Sequence, residues 1–261
     1  MSNRQGFIGV FDSGLGGISV LKKLVSQLPH EDFFYFGDTG HNPYGARSAD
    51  DIFDLSKAIV DNMVCKGAKA VVIACNTATA VAAHKLRTMY PQLPLIGIEP
   101  ALKQACDAHI YKHILVLATP VTLRMEKFHQ LRDRMCACNS ANVKISALAC
   151  DGLAHRIEQG NLDAPDLDNE LRTILAPYIG NVDAVVLGCT HYPFVKDHIV
   201  SILGNPVCFD GAAGVAHHVR DVLQDKDLLN DQIERGCVTF ATSSHDAHQL
   251  DLYEQFYHLP Q

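Results

Sequence analysis

Ala70-Val-Val-Ile-Ala-Cys75-Asn-Thr77 and Ala184-Val-Val-Leu-Gly-Cys189-Thr-His191 align without a gap, 114 residues apart. Each opens as a short β-branched apolar run, the pattern of a strand buried on both faces, and each closes on a cysteine followed by polar residues. A fainter echo pairs Ile8-Gly-Val-Phe-Asp12-Ser13 with Ile114-Leu-Val-Leu-Ala118-Thr119. Short apolar strands match one another easily, but two echoes in the same order point to two similar α/β halves.

Working outward, the same kind of run recurs at Phe7–Phe11, Phe33–Phe36, Val71–Ala74, Leu95–Ile98, Ile114–Ala118, Val143–Ala149, Val185–Leu187, Val207–Phe209 and Val238–Ala241. Between these runs, helical periodicity covers Ile18–Gln27, Ala49–Lys66, Thr79–Tyr90, Val121–Arg134, Leu167–Tyr178, Phe194–Leu203 and Ala216–Gln224. Strands alternating with helices predict mainly parallel sheets with helices on both faces. In such sheets ligands bind beyond the carboxyl ends of the strands, where Asp12, Ser13, Cys75, Asn76, Cys189, Thr190 and His191 all fall. If the halves face each other about a pseudo-twofold axis, the active site lies in the cleft between them, and the two cysteines reach it from opposite sides.

Composition narrows the function. The chain has 261 residues, 48% of them hydrophobic and 20% charged, as in an ordinary globular protein. Its formal charge of −7, with no basic run, argues against nucleic acid as a partner. Met1 to Gln5 is polar and leads into a strand, and no apolar stretch is long enough to span a bilayer, so no membrane association and a cytoplasmic location are expected. Nine cysteines, several within apolar segments, read as reduced thiols rather than a disulfide framework. Neither the Cys136-Ala-Cys138 pair nor the adjacent His217-His218 has a second ligand pair at metal-binding spacing, so no metal is expected. No lysine stands out as a pyridoxal phosphate anchor, and no cofactor is expected.

The paired cysteines suggest a chemistry. Inverting an amino acid's Cα requires removal of a proton from one face and its return to the other, which one base cannot easily do. Two cysteines, one thiolate and one thiol, meet that need and exchange roles with direction. A strand end leading into a helix N-terminus would favour the thiolate. Asp12 and His191 are near enough in sequence or fold to manage protons. Taken singly, each cysteine is equally a buried strand-end thiol, and either one with His191 resembles a nucleophile and base of a hydrolase. Asp12-Ser-Gly-Leu-Gly-Gly17 lacks the third glycine of a dinucleotide fingerprint and reads as a carboxylate-binding turn. Asn42-Pro-Tyr44-Gly45 is a loop in its own right, and its position after a strand offers the Tyr44 hydroxyl and Gly45 N–H to a substrate carboxylate. Thr119 and Thr122 occupy the equivalent turn of the second half, where a helix N-cap is the simpler role.

Together, Asp12-Ser-Gly-Leu-Gly-Gly17, Asn42-Pro-Tyr-Gly45, Cys75-Asn-Thr-Ala78 and Gly188-Cys-Thr-His-Tyr-Pro193 resemble the glutamate racemases of the aspartate/glutamate racemase superfamily, in order and spacing over nearly the whole chain. The resemblance implies a discontinuous first domain, 1–98 plus 211–261, with 99–210 as the second. It implies cofactor-independent interconversion of L- and D-glutamate for peptidoglycan synthesis, by a homodimer. By match to the motifs, Cys75 takes the proton from D-glutamate and Cys189 from L-glutamate, assisted by Asp12 and His191. Ser13, Tyr44, Gly45, Asn76, Thr77, Thr119, Thr190 and His191 then surround the substrate, and Glu158 in Arg156-Ile-Glu-Gln-Gly160 supplies a further acid. Cys150-Asp151-Gly152 departs from the family, which usually has proline after that cysteine. A superfamily racemase of aspartate or another amino acid is the alternative.

Overall fold

The computed structural model describes residues 4–99, 101–138, 143–162 and 164–260, the Cys138 side chain excepted. Residues 1–3, part of the polar start read above, lie outside this set. The chain divides into two compact units, Met1–Ile98 with Ala212–Pro260, and Glu99–Gly211.

The first unit runs β1 (Ile8–Asp12), α1 (Ile18–Gln27), β2 (Phe33–Gly37), α2 (Ala49–Cys65), β3 (Ala70–Ile73), α3 (Asn76–Met89) and β4 (Leu95–Gly97). The second runs α4 (Leu102–Asp107), β5 (His113–Ala118), α5 (Pro120–Arg124), α6 (Glu126–Cys138), β6 (Lys144–Ala149), α7 (Leu153–Glu158), α8 (Pro165–Leu175), β7 (Ala184–Leu187), α9 (Lys196–Leu203) and β8 (Val207–Asp210). The chain then returns to the first unit with α10 (Ala212–Asp225), β9 (Val238–Thr242) and α11 (Gln249–His258). Every strand pairing among the described residues is parallel.

The internal echo of the sequence is an echo of topology. One sheet is ordered β4-β3-β1-β2-β9 and the other β6-β5-β7-β8. Read from the opposite edge, the second is β8-β7-β5-β6, the order of the first without β9. Register repeats too: Ile8 lies opposite Ala70 as Ile114 lies opposite Ala184. At the carboxyl ends, Ala74 N–H donates to Phe11 O at 2.8 Å and Gly188 N–H to Leu117 O at 2.7 Å. Asp38 N–H donates to Asp12 O at 2.9 Å and Cys150 N–H to Ala118 O at 3.0 Å. Equivalent backbone positions therefore carry Asp12 and Ala118, Asp38 and Cys150, and Cys75 and Cys189.

The central strands β1, β3 and β7 are buried at every position, as their uninterrupted apolar runs require. Helix α2 buries Ile52, Ser56, Ile59, Val60 and Met63, one stripe at helical spacing, while Ser48 caps its first turn by accepting the Asp51 N–H. Helix α3 begins at Asn76, three residues before the apolar periodicity does, because the Cys75 thiol itself caps it. The expected helix Val121–Arg134 is two helices, broken where Met125 turns extended. Helices α4, α7 and α11 add to those expected.

Close approach of α1 to the strand ends depends on Gly17. A Cβ there would lie 2.6 Å from Asp12 Cβ and 2.9 Å from Ala74 Cβ. The glycine-rich turn thus has a packing reason: it seats the start of α1 directly over the ends of β1 and β3.

Candidate active site

Two groups of buried polar residues form at the carboxyl ends of the strands, one in each unit. In the first, Cys75 accepts the Ala78 N–H at 3.4 Å and directs its S–H to Ser13 Oγ at 3.7 Å. A thiol at the N-cap of a 14-residue helix sits at the positive end of that helix's dipole, which favours a thiolate. Asp12 is fully buried and accepts the Gly14 N–H at 2.9 Å, so its carboxylate closes the turn that follows β1. Asn76 and Thr77, in the first turn of α3, are buried beside Cys75. The Asn76 side-chain oxygen is buried with no hydrogen-bond partner among the described residues, an acceptor that a ligand donor would satisfy.

The loop after β2 completes this group. Tyr44 is buried and donates its hydroxyl proton to Asp38 Oδ2 at 2.6 Å. Burial, then the charge and hydrogen bond of Asp38, then the charges of Cys75 and Asp12, push the Tyr44 hydroxyl far above its ordinary range. It stays protonated, and its one proton is committed to Asp38. Gly45 follows Tyr44 in the loop, and a Cβ there would meet nothing within 4 Å.

In the second unit Cys189, Thr190 and His191 follow β7 and are all buried. Cys189 Sγ lies 3.6 Å from His191 Nδ1, and His191 Nε2 lies 2.6 Å from Glu158 Oε1, at the last turn of α7. Burial alone would drive His191 toward its neutral form. Hydrogen bonds to Cys189 and Glu158, with the charges of both, outweigh it and raise its pKa well above 6.5. The imidazole of His191 thus stands between a thiol and a carboxylate, placed to exchange a proton with Cys189. Behind Cys189, burial and the charge of Cys189 raise the Cys150 thiol to about 12, so Cys150 stays a neutral neighbour.

The structure thus gathers Asp12, Ser13, Tyr44, Asn76 and Thr77 around Cys75, with Gly45 next to Tyr44 in the loop, and gathers Thr190, His191 and Glu158 around Cys189. Thr119 follows β5 at the place Ser13 holds after β1. Its hydroxyl caps α5, accepting the Thr122 N–H at 3.3 Å and bonding Thr122 Oγ1 at 2.9 Å. Cys136 is exposed, and the Cys138 thiol that would complete the Cys-Ala-Cys pair lies outside the described residues. The sequence reading passes over Asp38, although it directly follows β2 at a strand end, the same placement that singles out Asp12.

A model of the Asp/Glu/hydantoin racemase family matches residues 8–218. The chain belongs to this family. As a member it is an isomerase. It is 42% identical to the glutamate racemase of Clostridium perfringens over 247 residues, 94% of each chain. Among solved structures it resembles the glutamate racemase of Francisella tularensis in complex with D-glutamate, with a TM-score of 0.84 at 26% identity, covering 99% of this chain and 95% of that one. It also resembles the Escherichia coli glutamate racemase in complex with L-glutamate and the activator UDP-MurNAc-ala, with a TM-score of 0.82 at 27% identity, covering 97% and 95%. No helix among the described residues is long and apolar enough to cross a membrane.

Proposed function

We propose that this chain interconverts L- and D-glutamate without a cofactor, using Cys75 and Cys189 as a pair of bases that serve opposite faces of the substrate's Cα. The observation that carries the reading is the repeat. Each unit holds one buried thiol just past its β-branched strand, at the same register, and each thiol has its own proton-handling partners. Relatives named glutamate racemase over most of the chain support glutamate as the substrate.

In this mechanism Cys189, with His191 and Glu158 beside it, takes the proton from L-glutamate while the Cys75 thiol delivers one to the other face. In the reverse direction Cys75, at the N-terminal end of α3, takes the proton from D-glutamate, with Asp12 assisting the proton transfer. Ser13, Asn76, Thr77, Thr119 and Thr190 offer neutral donors and acceptors to the α-carboxylate and ammonium, and the Gly45 N–H meets the side-chain carboxylate. A site built from such groups disfavours apolar amino acids, whose side chains would leave them unpaired. The product, D-glutamate, would feed peptidoglycan synthesis in the cytoplasm, and the enzyme would act as a homodimer.

Cys189, His191 and Glu158 also stand in the relation of nucleophile, base and orienting acid, the arrangement of a thiol hydrolase. That reading has no use for the matching cysteine of the first unit. Circular dichroism of L-glutamate with purified protein and no added cofactor tests the proposal: the signal should decay to zero, and D-glutamate should give the mirror-image trace. A steady signal with glutamate but decay with aspartate would move the substrate assignment to the latter. A trapped acyl-enzyme would favour the hydrolase.

A further inference from the structure

Asp38 is a buried carboxylate that the mechanism above does not use. Its Oδ1 lies 2.7 Å from His41 Nδ1 and its Oδ2 accepts the Tyr44 hydroxyl at 2.6 Å, so one side chain holds the loop that follows it at two points. The loop's other end is tied to the returning C-terminal segment. Gly40 N–H donates to Ser243 Oγ at 3.0 Å, and Thr39 Oγ1 lies 2.6 Å from the Tyr253 hydroxyl of α11. Asp38 thus adds two side-chain contacts to the anchors at residues 39 and 40 and to the packing that buries the Tyr44 ring among Phe11, Ile52 and Cys75. In the second unit a tyrosine also meets the position that matches Asp38, but from another strand end: buried Tyr192, in the turn after β7, donates to the carbonyl of Cys150 at 3.3 Å. There a backbone oxygen suffices. The first unit uses a carboxylate, which binds a hydroxyl donor more strongly than a neutral acceptor does.

We propose that Asp38 is a positioning residue for substrate binding, which, by holding the Tyr44 hydroxyl and the His41 ring, fixes the loop so that the Gly45 backbone faces the substrate's side-chain carboxylate. Tyr44 is then a strut rather than a ligand donor. This inference rests on the proposed racemase reading for its ligand, but not for the geometry of the loop.

The test uses Asp38→Asn, Tyr44→Phe and the double variant in the full-length protein. Each single variant should raise KM for glutamate about tenfold, the loss expected of one charge-assisted hydrogen bond, with kcat changed far less. The double variant should be no worse than the poorer single one, because both substitutions break the same strut. Hydrogen exchange should show faster exchange confined to residues 39–47 in all three. Additive losses, a fall in kcat at constant KM, or unchanged loop protection would overturn the proposal. If Asp38→Asn does not fold, Tyr44→Phe carries the test alone: it removes one oxygen, and normal KM with normal loop exchange would count against the strut. If the wild-type protein leaves glutamate unchanged, the racemase reading fails while the exchange experiment still decides what Asp38 does.

Discussion

His191 carries the strongest electrostatic consequence at the scale of single residues. Its folded pKa is raised, so its charged form contributes stability that is complete below the ordinary histidine value of 6.5 and fades as pH climbs through the folded value. Glu158→Gln removes the charge that holds the cation while keeping a hydrogen-bonding side chain. The variant should lose about 1–3 kcal/mol at pH 6, and the gap should close as pH rises past the His191 transition. Urea unfolding from pH 6 to 10 measures it, and a pH-independent difference would speak against a charged His191. The same histidine should speed alkylation of Cys189: iodoacetamide labelling followed by mass spectrometry should show His191→Gln slowing Cys189 about tenfold at neutral pH, in line with the loss of a neighbouring imidazolium. The Cys189 to His191 link was legible because only Thr190 separates them. Glu158 has no local signal of that kind. It lies on a different helix, 33 residues away, and came into view only through likeness to a family.

Among the elements, the strands were plain in the sequence because fully buried parallel strands demand unbroken apolar runs, and β3 and β7 consist of nothing else. Helix ends were less plain, since they are set by caps rather than periodicity. Helix α3 starts at Asn76 because a thiol accepts the Ala78 N–H, a capping role that sequence rules assign to serine, threonine, asparagine and aspartate. Short α4 and α7, six residues each, are too brief to show a period. The seating of α1 gives a prediction at this scale. Gly17→Ala puts a methyl within 3 Å of both Asp12 Cβ and Ala74 Cβ, so the helix must move off the strand ends. A loss of about 1–3 kcal/mol in chemical denaturation is expected, the cost of an overpacked contact. Racemase activity should fall with it, because Ser13 and Cys75 flank that contact. An alanine variant as stable as the parent would show that α1 is not held there by close packing.

At the scale of the whole molecule, the first unit depends on its returning C-terminal segment. Beyond β9, which extends the sheet beside β2, a buried ion pair of the early part of the chain receives a bond from the late part: Lys69 Nζ lies 2.5 Å from Glu31 Oε2, with both side chains almost wholly out of solvent. Lys69 also donates to the Arg4 carbonyl at 2.7 Å, and Glu31 Oε1 accepts the Asn230 N–H at 2.8 Å. No sequence rule pairs residues 31, 69 and 230. Lys69→Met strands a buried carboxylate and should cost about 3–5 kcal/mol, whereas Lys69→Met with Glu31→Leu should recover most of that in thermal or urea unfolding. Equal losses in the single and double variants would remove the pair from the account of stability. The repeat built into the two sheets matters most for function, since it gives each unit one thiol at the same place. The central claim is that one carbon is served by both. Racemisation of each glutamate enantiomer in deuterium oxide, followed by proton magnetic resonance, tests it directly in the wild type and in Cys75→Ala and Cys189→Ala. The account predicts inverted product carrying deuterium at Cα from the wild type and no inversion from either variant. Full activity in either variant, or product that keeps its original hydrogen throughout turnover, would contradict it.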